Sequence, residues 1–186
     1  LYEACLTKME QFVADSDQAQ PVTVDDEVAA LIELGESNTL EFKSTARLDV
    51  RAFHALADKP EGQRLEILKK KDKDRQHDIL KASSALLNTK GGDLVIGVED
   101  DGVGFGVHHD YTFWDSEAKR NRDNYELWLN QLFIDQFGKV AAGCIEPVFA
   151  QRDGVDVVWL KISPSPNPAM VKEDDGSEVF YRRIGN

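Results

Sequence analysis

Residues 77–107 read HDILKASSALLNTKGGDLVIGVEDDGVGFGV, and this stretch decides the fold class. Its first half predicts a helix, because apolar and small side chains recur there at helical spacing. The glycine pair at 91–92 ends that helix, and the apolar run 94–98 predicts a buried strand that leads into a glycine-rich turn. The helical stripe consists of Ile79, Leu80, Ser83, Leu86 and Leu87.

The segments on either side add further helices and strands. Upstream, EVAALIELG at 27–35 predicts a helix capped by Thr23 or Asp25, and LEFK at 40–43 alternates apolar and charged residues as a half-buried strand does. This order of elements predicts an α/β (mixed α+β) fold, with a mixed sheet flanked by helices. The other expected elements are helices at 2–14 and 123–137 and strands at 145–151, 155–162 and 178–183.

Composition is that of one globular domain. The chain has 186 residues, of which 41% are hydrophobic and 30% charged, and no run approaches the roughly 18 apolar residues of a membrane span. Cys5 and Cys144 are too few for a disulfide framework or a four-thiolate zinc site, so we expect a cytoplasmic location. Because no apolar run is long enough to span a membrane, we expect no membrane partner. We expect an N-terminal helix and linker at 1–24, a single domain at 25–186, and further domains in a longer parent chain.

The charge balance limits how the chain can bind nucleic acid. Lys and Arg number 22 and Asp and Glu 34, which gives a net charge of −12. Since binding to phosphate backbones relies on clustered cations, a local basic face must supply it. The favoured candidates are Lys119, Arg120, Arg182 and Arg183, and the last two are the most attractive because a strand would send one of them to the substrate face.

A second set of residues is suited to metal chemistry. In a strand, Glu41 and Lys43 point to the same side, opposite the apolar Leu40 and Phe42. If the strand at 94–98 lies beside them, its end brings Asp100 close.

Glu36, which precedes the first strand, is the third carboxylate of this set. Clustered carboxylates repel one another unless a cation such as Mg²⁺ or Mn²⁺ binds, and Lys43 would then orient water or neutralise charge on a scissile phosphate. The alternative is that Glu41 and Lys43 form a solvated salt bridge with no catalytic role.

Four segments together resemble the Schlafen-type AlbA_2 domain. They are GESNTLEFKST at 35–45, ASSALLNTKGG at 82–92, DLVIGVEDDGVGFGV at 93–107 and SPSPNPAMVKEDDGSEVFYRRIGN at 163–186. The likeness covers about residues 27–186 and implies a single lobe similar to the Schlafen core.

The resemblance also implies residue roles. Schlafen-type ribonucleases hold a divalent metal with two glutamates and one aspartate, and Glu36, Glu41 and Asp100 stand at the matching positions, with Lys43 as the matching lysine. It implies Mg²⁺ or Mn²⁺ as cofactor and nucleic acid, RNA or DNA, as partner. The helix-ending signature of the family is matched by Asn88, Thr89, Gly91 and Gly92, which we interpret as structural.

Three functions remain open at this point. The first is a metal-dependent endoribonuclease acting on structured RNA, with a homodimer supplying the second lobe that such nucleases have. The second is a non-catalytic module that binds DNA or a partner protein. The third, a nucleotide-binding regulatory domain, is disfavoured because the glycine-rich turn at 102–106 lacks the Gly-Lys-Ser/Thr of a phosphate-binding loop, so we do not expect ATP. The zinc cluster of animal relatives has no counterpart either.

Overall fold

A computed structural model describes residues 21–68 and 72–184. It confirms the predicted fold class, a mixed α+β arrangement. No helix within these residues is long and apolar enough to cross a membrane. The elements are α1 (Val24–Glu33), β1 (Leu40–Lys43), α2 (Val50–Ala55), α3 (Glu61–Leu68), α4 (Asp72–Leu87), β2 (Gly92–Ile96), α5 (His108–Tyr111), a 3₁₀ turn (Glu117–Lys119), α6 (Arg122–Ala142), β3 (Ile145–Arg152), β4 (Val155–Ile162), β5 (Met170–Lys172) and β6 (Glu178–Phe180).

The main sheet has four strands in the order β1-β2-β4-β3. β1 and β2 are parallel, with Glu41 opposite Leu94, whereas the other two pairs are antiparallel. The predicted neighbourhood of LEFK and the 94–98 run is therefore confirmed. Because parallel strands end at the same edge of a sheet, the residues that follow β1 and β2 lie near each other.

The two faces of the sheet are buried by different helices. Leu94, Ile96 and Leu160 belong to the core shared with α4 and α6, whereas Leu40 and Phe42 pack with Val28 and Ile32 of α1. Side chains of a strand alternate between faces, so Glu41 and Lys43 point to the α4 side.

The element bounds follow local chemistry. β1 and β4 match the predicted strands, and α1 starts at a capping box in which Thr23 and Asp26 bond each other's backbone N–H groups. The helix predicted at 123–137 runs on to Ala142 across a break at Gly138, where φ is 75°. β6 ends at Phe180 rather than 183, because its partner β5 is only three residues long. The helix at 2–14 lies outside the described residues, and the domain boundary stays a prediction.

The glycine pair between α4 and β2 is required by close backbone approach. A Cβ on Gly91 would lie 2.3 Å from the carbonyl oxygen of Ile162, and one on Gly92 would lie 2.3 Å from that of Thr39. Both residues also have positive φ angles, of 78° and 145°, which side chains disfavour. These contacts give Gly91 and Gly92 a structural role, as the sequence predicted.

Asp110 on α5 is a fully buried carboxylate that fixes the loop after β1. Its Oδ1 accepts backbone N–H groups of Arg47 and Leu48 at 3.2 and 3.1 Å. Its Oδ2 accepts the N–H of Ala46 at 2.9 Å and the Tyr125 hydroxyl at 3.1 Å. Burial raises the pKa of Asp110 to about 6, whereas these four donors oppose the rise because they stabilise the ionised carboxylate. The sequence offered no pattern that singles out this residue.

We expect Asp110→Asn to lower the free energy of unfolding by about 3 kcal/mol at pH 7. Either orientation of the asparagine amide places an NH₂ group against two donors that now bond an oxygen. Urea unfolding followed by circular dichroism measures the loss.

Tyr125→Phe is the matched control for Asp110→Asn, because it removes one donor and leaves the carboxylate in place. We expect it to cost about 1.5 kcal/mol. A loss in Asp110→Asn no larger than that in Tyr125→Phe would contradict the role assigned to the buried carboxylate.

Candidate functional site

A cleft of about 1040 Å³ opens beside the ends of β1 and β2. Its lining comes from β1, from the loop and helix that follow (44–54), from α4, from the turn at 99–101, and from Tyr181 and Arg183 near the end of the described chain. We call it the β1–α4 cleft. It lies on the α4 side of the sheet, toward which Glu41 and Lys43 point.

Charged side chains of both signs line the β1–α4 cleft in nearly equal numbers. Five are basic and six acidic, whereas the whole chain has 22 basic and 34 acidic residues. The strongly acidic character of the chain is therefore offset locally. The basic residues are Lys43, Arg51, Arg75, Lys81 and Arg183, and the acidic residues are Glu41, Asp49, Asp78, Glu99, Asp100 and Asp101.

Glu41 is the centre of an ion-pair network in this cleft. Lys43 Nζ donates to Glu41 Oε1, and Arg183 Nη2 donates to Glu41 Oε2. The side chains of Glu41, Arg183 and Lys43 are 21%, 24% and 28% exposed, so the network is partly shielded from water. Burial by itself raises the pKa of the Glu41 carboxyl, but hydrogen bonds and charge from Lys43 and Arg183 lower it below its ordinary value. Glu41 is therefore ionised.

The predicted carboxylate trio is only partly brought together. Glu41, Lys43 and Asp100 line the β1–α4 cleft, whereas Glu36 is not part of its lining. Glu36 Oε1 instead accepts the backbone N–H of Phe42 at 2.8 Å, on the side of β1 away from β2, where no further strand pairs within residues 21–68 and 72–184.

The side chains around Glu41 form an ion-pair network, in which its carboxylate oxygens face cations rather than other carboxylates. Within residues 21–68 and 72–184, no group of three or more His, Cys, Asp or Glu residues is placed to hold a metal ion. Both Glu41 oxygens are engaged by cationic groups, and Glu36 is engaged by the backbone. The assignment of Glu36, Glu41 and Asp100 as metal ligands, with Mg²⁺ or Mn²⁺, stays a prediction.

The structure separates the predicted basic residues into two groups. Arg183 lines the β1–α4 cleft, whereas Arg182 beside it is exposed and does not. The assignment of Arg182 and Arg183 to a nucleic-acid surface stays a prediction. Lys119 and Arg120 are exposed and outside the cleft lining, and Arg120 Nε donates to the carbonyl of Trp114 at 2.8 Å.

Asn88, directly after α4, holds residues 165–184 against that helix, and we call these residues the closing segment. Its Nδ2 donates to the carbonyls of Ala169 and Tyr181, both at 2.9 Å, and its Oδ1 accepts the N–H of Ala169 at 2.9 Å. Tyr181 lies two residues before Arg183, so these bonds set where Arg183 enters the cleft. The sequence predicted a structural role for Asn88 but gave no sign of its partners.

A second set of contacts holds the same segment against α4. The Tyr181 hydroxyl donates to Glu173 Oε1 at 2.7 Å, and Glu173 Oε2 lies 2.9 Å from His77 Nε2. Lys81 Nζ lies 5.6 Å from the centre of the Tyr181 ring. Sequence reasoning missed this set, because its members come from three separate segments with no shared motif.

Comparison with known proteins identifies the family to which the chain belongs. The model of the family described as Schlafen, AlbA_2 matches residues 61–186, which is more than half of the chain. Asn88, Asp100 and Arg183 fall inside the match, whereas Glu36, Glu41 and Lys43 precede it, so their assignment rests on resemblance alone. No curated protein matches.

Among solved structures, the chain is similar to the DIP2311 protein of Corynebacterium diphtheriae. The identity is 17% and the TM-score 0.40, over 60% of this chain and 19% of that one. The chain thus spans about a fifth of the length of that protein, and a likeness of this size carries no argument about function.

We expect Asn88→Ala to release the closing segment from α4. The loss of its three hydrogen bonds to this segment should lower the free energy of unfolding by about 2 kcal/mol and should speed hydrogen exchange in residues 165–184. Exchange followed by mass spectrometry measures the second effect.

Thr89→Val is the control for Asn88→Ala, because the Thr89 hydroxyl bonds only carbonyls of its own helix, those of Ala85 and Leu86. It should leave exchange in residues 165–184 unchanged. Unchanged exchange in Asn88→Ala would show that the closing segment is held by other contacts.

Proposed function

Because this chain belongs to the Schlafen AlbA_2 family, we propose that it binds nucleic acid and that the β1–α4 cleft receives the phosphate backbone. Membership of the family supports a function connected with nucleic acids. The observation that carries the assignment to this cleft is the convergence of Lys43 and Arg183 on one point, which Glu41 marks.

The chemistry of the two cations suits a phosphate. A guanidinium group presents a planar set of N–H donors that matches carboxylate and phosphate oxygens, and an ammonium group adds a compact charge. Contacts of this kind position a protein on nucleic acid without reading its sequence. Lys43 and Arg183 approach from different segments, so the position between them is fixed by the fold.

The adjoining face of α4 extends the site. Arg75 and Lys81 line the cleft together with Asp78 and the small side chains of Ala82 and Ala85, and each of these residues has another of the set three or four positions away, as expected for one helix face. Arg75 Nη1 lies 3.2 Å from Asp78 Oδ2. Small residues allow a ligand backbone to approach closely, while the two cations offer further phosphate contacts. The acidic turn at 99–101 limits the cationic part of the cleft to the α4 and Arg183 side.

We expect Arg183→Gln to weaken binding of a fluorescein-labelled 20-nucleotide RNA about tenfold and to reduce the slope of log Kd against log salt concentration by about one. The reason is the loss of one phosphate contact together with its released counterion. Fluorescence anisotropy between 25 and 200 mM KCl gives both quantities. This range includes salt concentrations on either side of 0.1 M, at which the screening length is about 10 Å.

Arg182→Gln makes the same change of charge one residue away, outside the cleft. It should shift Kd less than about twofold, since an exposed charge away from the ligand acts only through the screened field. Equal losses in the two variants would show that overall charge rather than the cleft determines binding, and would sink the assignment.

A second candidate function is cleavage of the bound strand. Its support is that Glu41, Lys43 and Asp100 line the same cleft as Arg183. If it holds, the protein will cut structured RNA in Mg²⁺ or Mn²⁺, and both EDTA and Glu41→Ala will abolish cutting while the far-UV circular dichroism spectrum stays that of the wild type. RNA that stays intact under these conditions, although bound, would leave a non-catalytic binding module.

A further inference from the structure

The position between Lys43 and Arg183 is filled by a side chain of the protein itself. The Glu41 carboxylate offers two anionic oxygens, and each of them accepts a hydrogen bond from one of the two cations. A phosphodiester also offers two non-bridging anionic oxygens, so the two groups suit the same donors.

We propose that Glu41 is an internal counterion that determines which anions the β1–α4 cleft accepts, and that a nucleic-acid phosphate binds by displacing its carboxylate from Lys43 and Arg183. The inference rests on the proposed function, since it concerns the same site. It assigns Glu41 a role in specificity that needs no metal ion.

Displacement follows from charge as well as from donor geometry. A phosphate that approached Lys43 and Arg183 with Glu41 still in place would meet a like charge at the same point, which is unfavourable in a site partly shielded from water. The side chain has room to move, because the carboxylate faces the open β1–α4 cleft rather than the core.

The contacts of Glu41 with Lys43 and Arg183 make the cleft selective for a nucleic-acid strand over a single phosphate. A single free phosphate must replace the two contacts that Glu41 already makes, and its own gain is about the same. A nucleic-acid strand can also contact Arg75 and Lys81 on α4, and linked contacts raise effective affinity well beyond that of a single contact. Free phosphate and mononucleotides are therefore rejected where a strand is accepted.

The test compares Glu41→Gln with Glu33→Gln. Both remove one negative charge, but Glu33 is exposed on α1, which packs on the opposite face of the sheet, and it does not line the cleft. The probes are the labelled 20-nucleotide RNA and inorganic phosphate, and the melting temperature of each variant without probe establishes that it is folded.

We expect Glu41→Gln to tighten RNA binding about tenfold and to steepen the slope of log Kd against log salt by about one. Inorganic phosphate should raise the melting temperature of Glu41→Gln but not that of the wild type, because a ligand that binds only the folded state stabilises it. Glu33→Gln should change RNA affinity less than about twofold. The double variant Glu41→Gln/Arg183→Gln should lose the gain.

Several results would overturn the inference. Unchanged or weaker RNA binding by Glu41→Gln would show that the carboxylate does not compete with the ligand, and equal tightening in Glu33→Gln would show a general charge effect. Metal-dependent cleavage that Glu41→Gln abolishes would assign Glu41 to a catalytic centre instead.

Failure of the proposed function has a different signature. In that case neither the wild type nor any variant binds RNA, and Arg183→Gln changes nothing. The response of Glu41→Gln to inorganic phosphate still decides whether the carboxylate occupies an anion position. If Glu41→Gln does not fold, Glu41→Asp keeps the charge but is too short to span both cations, and it should show a smaller gain in the same direction.

Discussion

The attachment of the closing segment to α4 is the constraint on which the rest of the site depends. Asn88 forms hydrogen bonds with Ala169 and Tyr181, and Glu173 contacts Tyr181 and His77. These contacts hold the closing segment against α4. Arg183 thereby reaches a carboxylate on the first strand of the sheet. Without this attachment Arg183 would not be held in the cleft, and its ion pair with Glu41 would be lost.

The buried carboxylate of Asp110 holds the β1 side of the cleft in place. By accepting three backbone N–H groups after β1, it fixes the loop that continues into the cleft lining. Burial of a charge is unfavourable unless hydrogen bonds compensate it, and here four donors do so. Rigid attachment on both sides explains why the ion-pair network around Glu41 can remain partly buried and still be aligned.

The sequence was sufficient for the sheet and for part of the site. Alternation in LEFK and the apolar run at 94–98 record local burial. β1 matches the predicted strand, whereas β2 begins and ends two residues before the predicted 94–98. The shared face of Glu41 and Lys43 follows from the two-residue period of a strand. In contrast, the partners of Asn88, Glu173 and Asp110 come from distant segments, and no periodicity reports a hydrogen bond across the fold. For the same reason the sequence could not show that Glu36 bonds the edge of β1 rather than sharing the cleft.

The distance in sequence between Glu41 and Arg183, 142 residues, has a consequence for the order of folding. Bringing such remote residues together requires most of the intervening chain to be ordered first, because the entropy of closing a long loop must be overcome. In the part of the chain that the structure describes, β1 pairs with β2, which begins about fifty residues later. The contact between Glu41 and Arg183 therefore depends on order in most of the chain between them, and a chain that stops before residue 183 lacks it.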